Sequence, residues 1–373
     1  MQVRPRGVVT VVTVRRSAEV EYWVVDGEGR LTEPGRLVDA APGVEREFVE
    51  PLLEVKTTPC ETTEQLRAEL FDRVSRVLER GEETGKRLVP LSTPVHAGAV
   101  RDLPSKRTRV QERVVGEEFE YVRHCAGTHV HIEQAPGRAA DQLNALIALD
   151  PALALVNSSP YFRGEPLAAG ARSMLYRRMA YDGLAHQGRL WRYAEDTDEW
   201  TRRLERRYEE FEAAALDAGV DRDAVAANFT PETAVWTPVQ LRGTFGTVEW
   251  RSPDTAVPSR VVRLADDLAG VVEHLLDTDL RVGGTVGLQE DALVVPEFDA
   301  VARYVDAAIE EGLASGPLRA YLDRMGFDTD AYAPVTHDLA GRGTVTRAAA
   351  RELRLDYAAR LERDVRQVAV GDG

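Results

Sequence analysis

Ionisable residues recur two apart on segments whose other positions are apolar: Glu19-Val20-Glu21-Tyr22, His129-Val130-His131-Ile132-Glu133 and Val248-Glu249-Trp250-Arg251. In an extended strand alternate side chains share a face. Glu19 and Glu21 therefore line one side of their segment, His129, His131 and Glu133 one side of theirs, and Glu249 and Arg251 one side of the third. A fourth acidic group, Glu47, Glu50 and Glu54, adds carboxylates beside a further predicted strand. Any one of these segments alone is an amphipathic strand with a wet face. Together they are unusual, because the wet positions are repeatedly Glu and His. Carboxylates gathered on adjacent strands would repel and raise one another's pKa values unless a cation neutralised them. Glutamate oxygens with an imidazole and no thiolate suit Mg2+ or Mn2+ better than a structural zinc. Such ions commonly hold triphosphate oxygens, and an arginine beside them stabilises a transferring phosphoryl group. The pattern does not choose between His129 and His131 as the ligand. Glu133 stays open as a further carboxylate of the site or a strand end.

The elements that must carry these residues follow from periodicity. Val8 to Val14 is β-branched throughout and predicts a strand, and residues 18–25 continue the extended character to a turn at Asp26–Gly29. A helix is predicted over 62–80, capped by Thr62 or Thr63, with Leu66, Leu70, Val74, Val77 and Leu78 at helical spacing. Strands are expected at 87–93 and 244–251. Helices are expected at 141–157, 172–182, 198–218 and 257–277, with a hairpin at 280–296 in a mostly helical C-terminal hundred residues. The segment 198–218 is dense in Glu and Arg and reads as a solvated, ion-paired helix. Phe298, Val301, Tyr304, Val305 and Ile309 read as packing. Short strands interleaved with helices, without regular βαβ spacing, predict an α+β fold with an antiparallel sheet. There is no internal repeat, low-complexity tract or obvious linker.

Composition narrows the function classes. The 373 residues suffice for one large domain or two ordinary ones, and 43% hydrophobic with 29% charged residues is a globular balance. The 62 acidic against 47 basic residues leave a net charge of −15, which argues against nucleic acid or an anionic membrane as partner. No stretch approaches 18 apolar residues, which argues against a membrane span. Only Lys56, Lys86 and Lys106 are lysines among the basic residues, a skew that fits a GC-rich and halophilic source. Two cysteines, Cys60 and Cys125, make neither a disulfide framework nor a zinc site, and both read as buried packing residues. The apolar run near the start is short and meets Arg15-Arg16 rather than a cleavage site, so a cytoplasmic location is expected. The nucleotide signatures are missing: Gly81 to Lys86 lacks the Ser or Thr of a Walker loop, and no G-x-G-x-x-G, H-E-x-x-H or G-x-S-x-G occurs.

Taken in order, the segments resemble the type 2 glutamate–cysteine ligases and related carboxylate–amine ligases. Ala18-Glu19-Val20-Glu21-Tyr22 is similar to the family's opening G-V-E-x-E-F strand. Glu47, seven residues before Glu54-Val55-Lys56-Thr57, is similar to its glutamate before E-x-x-T. Gly127 to Ile132 resembles G-x-H-V-H-V, Ala148 to Gly164 resembles its alanine-rich helix ending in S-S-P-F/Y, and Gly246 to Arg251 resembles G-T-V-E-x-R. Arg172-Ser173 to Arg177 or Arg178 resembles its Arg-Ser segment. The matches keep order and spacing across about residues 14–275.

The resemblance implies a glutamine-synthetase-like catalytic fold, an antiparallel sheet curved around the active site with helices outside. It implies a catalytic region over 1–280 with a helical extension over 281–373 packed on it, and a homo-oligomer. Small-molecule carboxylate and amine substrates, Mg2+ (or Mn2+) and ATP are implied with it. Glu19, Glu21, Glu47, Glu54, His129 and Glu249 would be the metal ligands, with His131 a hydrogen-bonder beside them. Arg251 would act on the transferring phosphoryl group, and Arg163, Arg172, Arg177 and Arg178 are candidates for phosphate recognition. The implied reaction activates a carboxylate as an acyl phosphate and joins it to an amine, giving a γ-glutamyl or similar amide.

Three positions depart from the family pattern. Val20 replaces an acidic residue but faces away. Glu133 replaces a glycine. Gln240-Leu241 stands where an Arg-Pro pair is usual, nine residues before Glu249, with Arg242 two positions on. If the family arginine grips an anion, the substrates here differ from glutamate and cysteine. Two other readings use the same face: a metal-dependent amide hydrolase, and a degenerate member that binds a nucleotide or metabolite.

Overall fold

The computed structural model describes residues 13–371. Its strands and helices run β1 (Arg16–Asp26), β2 (Val44–Arg46), β3 (Leu52–Lys56), α1 (Thr63–Thr84), β4 (Lys86–Val89), α2 (Lys106–Val115), α3 (Phe119–Arg123), β5 (Thr128–Glu133) and α4 (Ala139–Leu149). After these come β6 (Tyr161–Phe162), β7 (Glu165–Pro166), α5 (Ala171–Met174), α6 (Thr197–Asp217), α7 (Arg222–Ala226), α8 (Pro231–Ala234), β8 (Val239–Arg242), β9 (Thr247–Trp250) and α9 (Pro258–Leu276). The chain ends with β10 (Asp279–Val282), β11 (Gly287–Leu288), β12 (Ala292–Val295), α10 (Phe298–Glu310), α11 (Gly316–Arg324), α12 (Val335–Leu339) and α13 (Arg347–Gly371).

The principal sheet is antiparallel, in the order β2-β3-β1-β5-β9-β8, with β4 pairing the C-terminal part of β1. One face is apolar: Val20, Tyr22, Val130, Ile132, Val248 and Trp250 are fully buried there. Helices α1, α4 and α9 pack over it, bringing Leu66, Leu70, Leu146, Leu264 and Leu268 into the same core. The fold is thus the α+β arrangement expected, a sheet with helices on one side and a polar face on the other. The apolar stretch Ala139–Val156 is long enough to cross a membrane, but 83% of it is buried inside the protein, the setting of a core helix.

Helix α1 begins where the Thr62 side chain accepts the Gln65 N–H at 3.2 Å, and runs one turn past the predicted end to Gly85, whose φ of 69° closes it. Several expected boundaries move for identifiable reasons. Residues 8–12 of the Val8–Val14 segment lie outside the described residues, and the described strand starts at Arg16. Strand β4 stops at Val89 because Pro90 has no N–H for the ladder. The helix expected at 141–157 is α-helical only to Leu149 and tightens to a 3-10 turn at Asp150–Val156, where Pro151 removes a donor. The helix expected at 172–182 ends at Met179, its last turn widened to i→i+5 bonds, with Ala180 N–H donating to the Leu175 carbonyl at 3.0 Å. The hairpin expected at 280–296 is a three-stranded sheet instead. Strands β11 and β12 form the hairpin, and β10 joins β12 in parallel, because Gly283 and Gly284, at φ 82° and 96°, swing the chain away from β10.

Candidate active site

Strand register assembles the polar face. Directly opposite pairs are Glu45 with Glu54, Glu54 with Glu21, Lys56 with Glu19, Glu19 with His129, His131 with Glu249, and Glu249 with Gln240. Opposite side chains in an antiparallel pair stand about 5 Å apart at Cβ. Three groups of potential ligands result: Glu19, His131 and Glu249; Glu19, Glu54 and His129; Glu21, Glu47 and Glu54. Within each, the ligand atoms lie within 4.8 Å of one another. All six residues that the resemblance implied as ligands fall in these groups, and so does His131.

The two histidines differ in their second contacts. His129 Nδ1 lies 3.3 Å from Glu19 and 3.5 Å from Glu249. His131 is held through Nδ1 by the Thr247 hydroxyl at 3.0 Å, and its Nε2 has no hydrogen-bond partner although buried. That nitrogen stands 3.8 Å from Glu19 and 3.7 Å from Glu249, too far to bond either and placed to share a cation with both. The donor set of carboxylates and imidazoles therefore fits a hard divalent cation. Glu133 lies at the strand end, where Arg15 Nε donates to it at 3.0 Å.

The face divides electrostatically into two halves. Burial alone would raise the carboxyls of Glu19 and Glu249. The hydrogen bond from His129, with the His131 ring close by, outweighs it at Glu19, and the charge of Arg251 outweighs it at Glu249, so both sit below the usual carboxylate range. Glu21, Glu47 and Glu54 go the other way. Burial pushes Glu54 well up, with Glu47 adding to it, and pushes Glu47 up to about 7, with Glu21 adding to it. At Glu21 burial outweighs the pull of Arg172. Burial also holds His129 below its ordinary value, aided by Arg251, so its ring is neutral and able to ligate. Three carboxyls that resist ionising, Glu54 buried and Glu21 and Glu47 half-buried, beside two that ionise readily is the imbalance a divalent cation corrects.

The arginines named from the sequence separate clearly. Arg251 lies on the face, its Nε 3.3 Å from Glu249. Arg172 is buried and donates to the carbonyls of Ser252 at 3.0 Å and Arg251 at 3.2 Å. It crosses Gly127 so closely that a Cβ there would run into its guanidinium, which explains the glycine. The same Gly127 N–H donates to Glu21 at 2.6 Å. Arg177 pairs with fully buried Asp150 at 2.7 Å, and Asp150 also accepts from Trp250 Nε1 at 2.9 Å. Arg163 and Arg178 do not reach the face: they pair at the surface with Glu120 and Asp306.

Gln240, where the resemblance led us to expect an arginine, is buried opposite Glu249 and donates to the Glu232 carbonyl at 3.0 Å. Arg242, two residues on and so on the same face, reaches Glu249 at 2.8 Å. A guanidinium thus reaches Glu249 from one pleat further along β8. Period-two reading of β8 could have found it.

Beside the face lies a cavity of about 270 Å³, bordered by Glu21, Glu47, His129, Arg172, Arg177 and Arg251 at the sheet. Its remaining walls come from residues that the sequence did not single out: Arg107 of α2, Phe119 of α3, Tyr176 and Tyr181 after α5, and Trp236 before β8. Both cysteines are buried and without disulfides. Burial pushes the Cys60 thiol up to about 11 and Cys125 up to about 12, so neither is a thiolate.

Residues 17–308 match the family model of glutamate–cysteine ligase family 2. The chain belongs to that family. A curated relative in it, a putative glutamate–cysteine ligase 2-1 of Paenarthrobacter aurescens (strain TC1), is 29% identical over 156 residues. That match covers 40% of this chain and 39% of the relative, so the chain spans well under half the length of the relative it matches. Among solved structures, a glutamate–cysteine ligase of Francisella tularensis in complex with AMP aligns over 95% of this chain and 89% of its own, with a TM-score of 0.61 at 14% identity. A bifunctional glutathione synthetase of Pasteurella multocida aligns over 94% of this chain and 53% of its own, with a TM-score of 0.57 at 16% identity. These two share the fold with the family member described here.

Proposed function

We propose that this glutamate–cysteine ligase family 2 protein is an ATP-dependent carboxylate–amine ligase. The observation that carries the reading is the polar face itself: six potential metal ligands on four neighbouring strands and Glu47 between β2 and β3, with Arg251 among them and a cavity alongside. Family membership and the AMP held by the Francisella fold relative support a nucleotide as co-substrate.

In this reading Glu19, Glu21, Glu47, Glu54, His129, His131 and Glu249 would hold Mg2+ or Mn2+, which when bound neutralises and aligns the triphosphate. An oxygen of the acyl donor's carboxylate attacks the γ-phosphorus, the bond from that phosphorus to the bridging oxygen breaks, and ADP leaves. Arg251, oriented by Glu249, stabilises the charge on the transferring group, and Arg242 holds Glu249 from the other side. The amine then attacks the acyl carbon, expelling phosphate and losing a proton. Substrates filling the cavity would displace water from the acyl phosphate. Arg172 and Arg177 act from behind, Arg172 fixing Gly127 and the Arg251–Ser252 backbone, Arg177 fixing Asp150 beneath Trp250.

The test is ADP release by purified protein with Mg2+, ATP and a matrix of carboxylates and amines, with the amide identified by mass. ADP release that needs both a carboxylate and an amine supports the ligase. Turnover of an amide without ATP, or no ADP with any pair, removes the proposal.

A further inference from the structure

Phe245 is the one aromatic side chain among the described residues that stands exposed, at 63%. It sits on the turn between β8 and β9, in residues 243–246, which join Arg242 to its strand partner Thr247. A single exposed ring on a surface is ordinary. The place of this one is not, because it borders the polar face. Its ring meets His131 edge-on with centroids 6.1 Å apart, and Arg242 lies over it at 5.2 Å. Both neighbours are themselves fixed, His131 by the Thr247 hydroxyl at 3.0 Å and Arg242 by Glu249 at 2.8 Å. A held ring with water on its open side thus stands at the rim of the group Glu19, His131 and Glu249.

The polar face has two ends. The cavity of about 270 Å³ takes in Glu21, Glu47, His129 and Arg251 but not Glu19, His131 or Glu249, and it is too small for a nucleotide together with a second substrate. A triphosphate lying along the face then carries its ribose and base out over the other end, where Phe245 stands. Every nucleobase has a π-face, and stacking on an aromatic ring holds it whatever the pattern of its edge. The groups around the ring that could read that edge are already spent. The Gly243 N–H donates to the Glu232 carboxylate at 3.0 Å, the Phe245 N–H to the Arg242 carbonyl at 3.2 Å and the Gly246 N–H to the Gly243 carbonyl at 3.3 Å. Gln134 gives its backbone and side-chain N–H groups to the Gly246 and Thr247 carbonyls, each at 2.8 Å. Thr244 is exposed, and a hydroxyl that both donates and accepts does not tell adenine from guanine.

We infer that Phe245 is the platform on which the nucleotide stacks its base, and that the base is recognised by its face and not by its edge, so that ATP and GTP bind alike. That the nucleotide is a co-substrate rests on the ligase reading; its binding against Phe245 does not.

The experiment is calorimetric titration of the whole protein, in Mg2+, with the β,γ-imido analogues of ATP, GTP and UTP and with tripolyphosphate. The two purine analogues should bind within about fivefold of each other and about tenfold or more tighter than tripolyphosphate, with the smaller uracil ring between. Phe245→Ala should abolish that advantage and leave tripolyphosphate as in the parent, whereas Phe245→Trp should keep it. The Phe245 side chain belongs to none of the buried clusters, so neither substitution disturbs the core. Purines that bind no tighter than tripolyphosphate, an advantage that survives Phe245→Ala, or one purine preferred over the other by more than fivefold overturns the inference. So does a dimer that dissociates in Phe245→Ala and ignores nucleotide, which would put the ring in a contact between two copies of the chain. ADP release by Phe245→Ala with the parent's KM for ATP would sink this inference and spare the ligase. A purine preference that depends on Phe245, in a protein that never releases ADP, would do the reverse.

Discussion

Replacing Glu47 by Gln should make the metal-free protein more stable while weakening its response to metal. Glu47 borders the cavity, and burial, with Glu21 adding to it, pushes its carboxyl up to about 7 from an ordinary 4.5. Keeping that carboxylate ionised costs the folded state about 3 kcal/mol. Water reaching it through the cavity screens part of this, so a gain of about 1–3 kcal/mol is the working figure. The pH dependence has a definite sign. Between pH 4.5 and 7 the folded chain keeps a proton at Glu47 that the unfolded chain has released, so stability falls as the pH rises through that window. Above it the full cost is present. Glu47→Gln removes a titrating group while its amide oxygen can still accept from the Phe48 N–H, which lies 3.0 Å from the carboxylate in the parent. Urea unfolding in EDTA should show the variant about 1–3 kcal/mol more stable at pH 8 and within about 1 kcal/mol of the parent at pH 5. Added Mg2+ or Mn2+ should stabilise the parent more than the variant. A variant less stable than the parent at pH 8, or a gain independent of pH, would refute the claim that this half of the face waits for a cation.

Three further outcomes separate the arginines and the face. Glu249→Gln, nearly isosteric, should lower ATP-dependent turnover by roughly 100-fold or more while circular dichroism is unchanged; full activity would remove Glu249 from the site. Arg177→Met should destabilise the nucleotide-free protein by about 3–5 kcal/mol, because Asp150 is left as a buried charge; unchanged thermal stability would contradict its role as that residue's counter-ion. Arg163→Ala, which breaks a half-exposed pair with Glu120 and a contact over the Phe162 ring, should leave the KM for ATP within about twofold and stability within about 1 kcal/mol. A large rise in KM would return Arg163 to the phosphate site.

How far the site was legible depended on where its residues sit. Glu19, Glu21, His129, His131 and Glu249 lie on stretches of strand where apolar and polar positions alternate, so the period fixes the face, and neighbouring strands do the rest. Glu47 stands outside a strand, and it reaches the group only through the chain between β2 and β3, which no period describes. Arg107, Tyr181 and Trp236 come from short helices and connections far apart in the chain, and only the fold brings them to one cavity. Arg163 shows the opposite failure. A promising motif position is drawn off by a surface partner, Glu120, that is 43 residues away and invisible to local spacing. Element boundaries moved where proline or glycine chemistry intervened, at Pro90 and Gly283 for strands and at Pro151 for a helix. Arg242 was legible in principle, since it shares a strand face with Gln240.

The most direct test of the central claim is a thermal-shift titration with Mg2+ alone, ATP alone and the two together. The face described here predicts a modest shift with Mg2+, little with ATP alone, and the largest with both, reduced in Glu249→Gln. A folded protein whose melting temperature moves under none of these conditions would contradict a Mg–ATP site on this face.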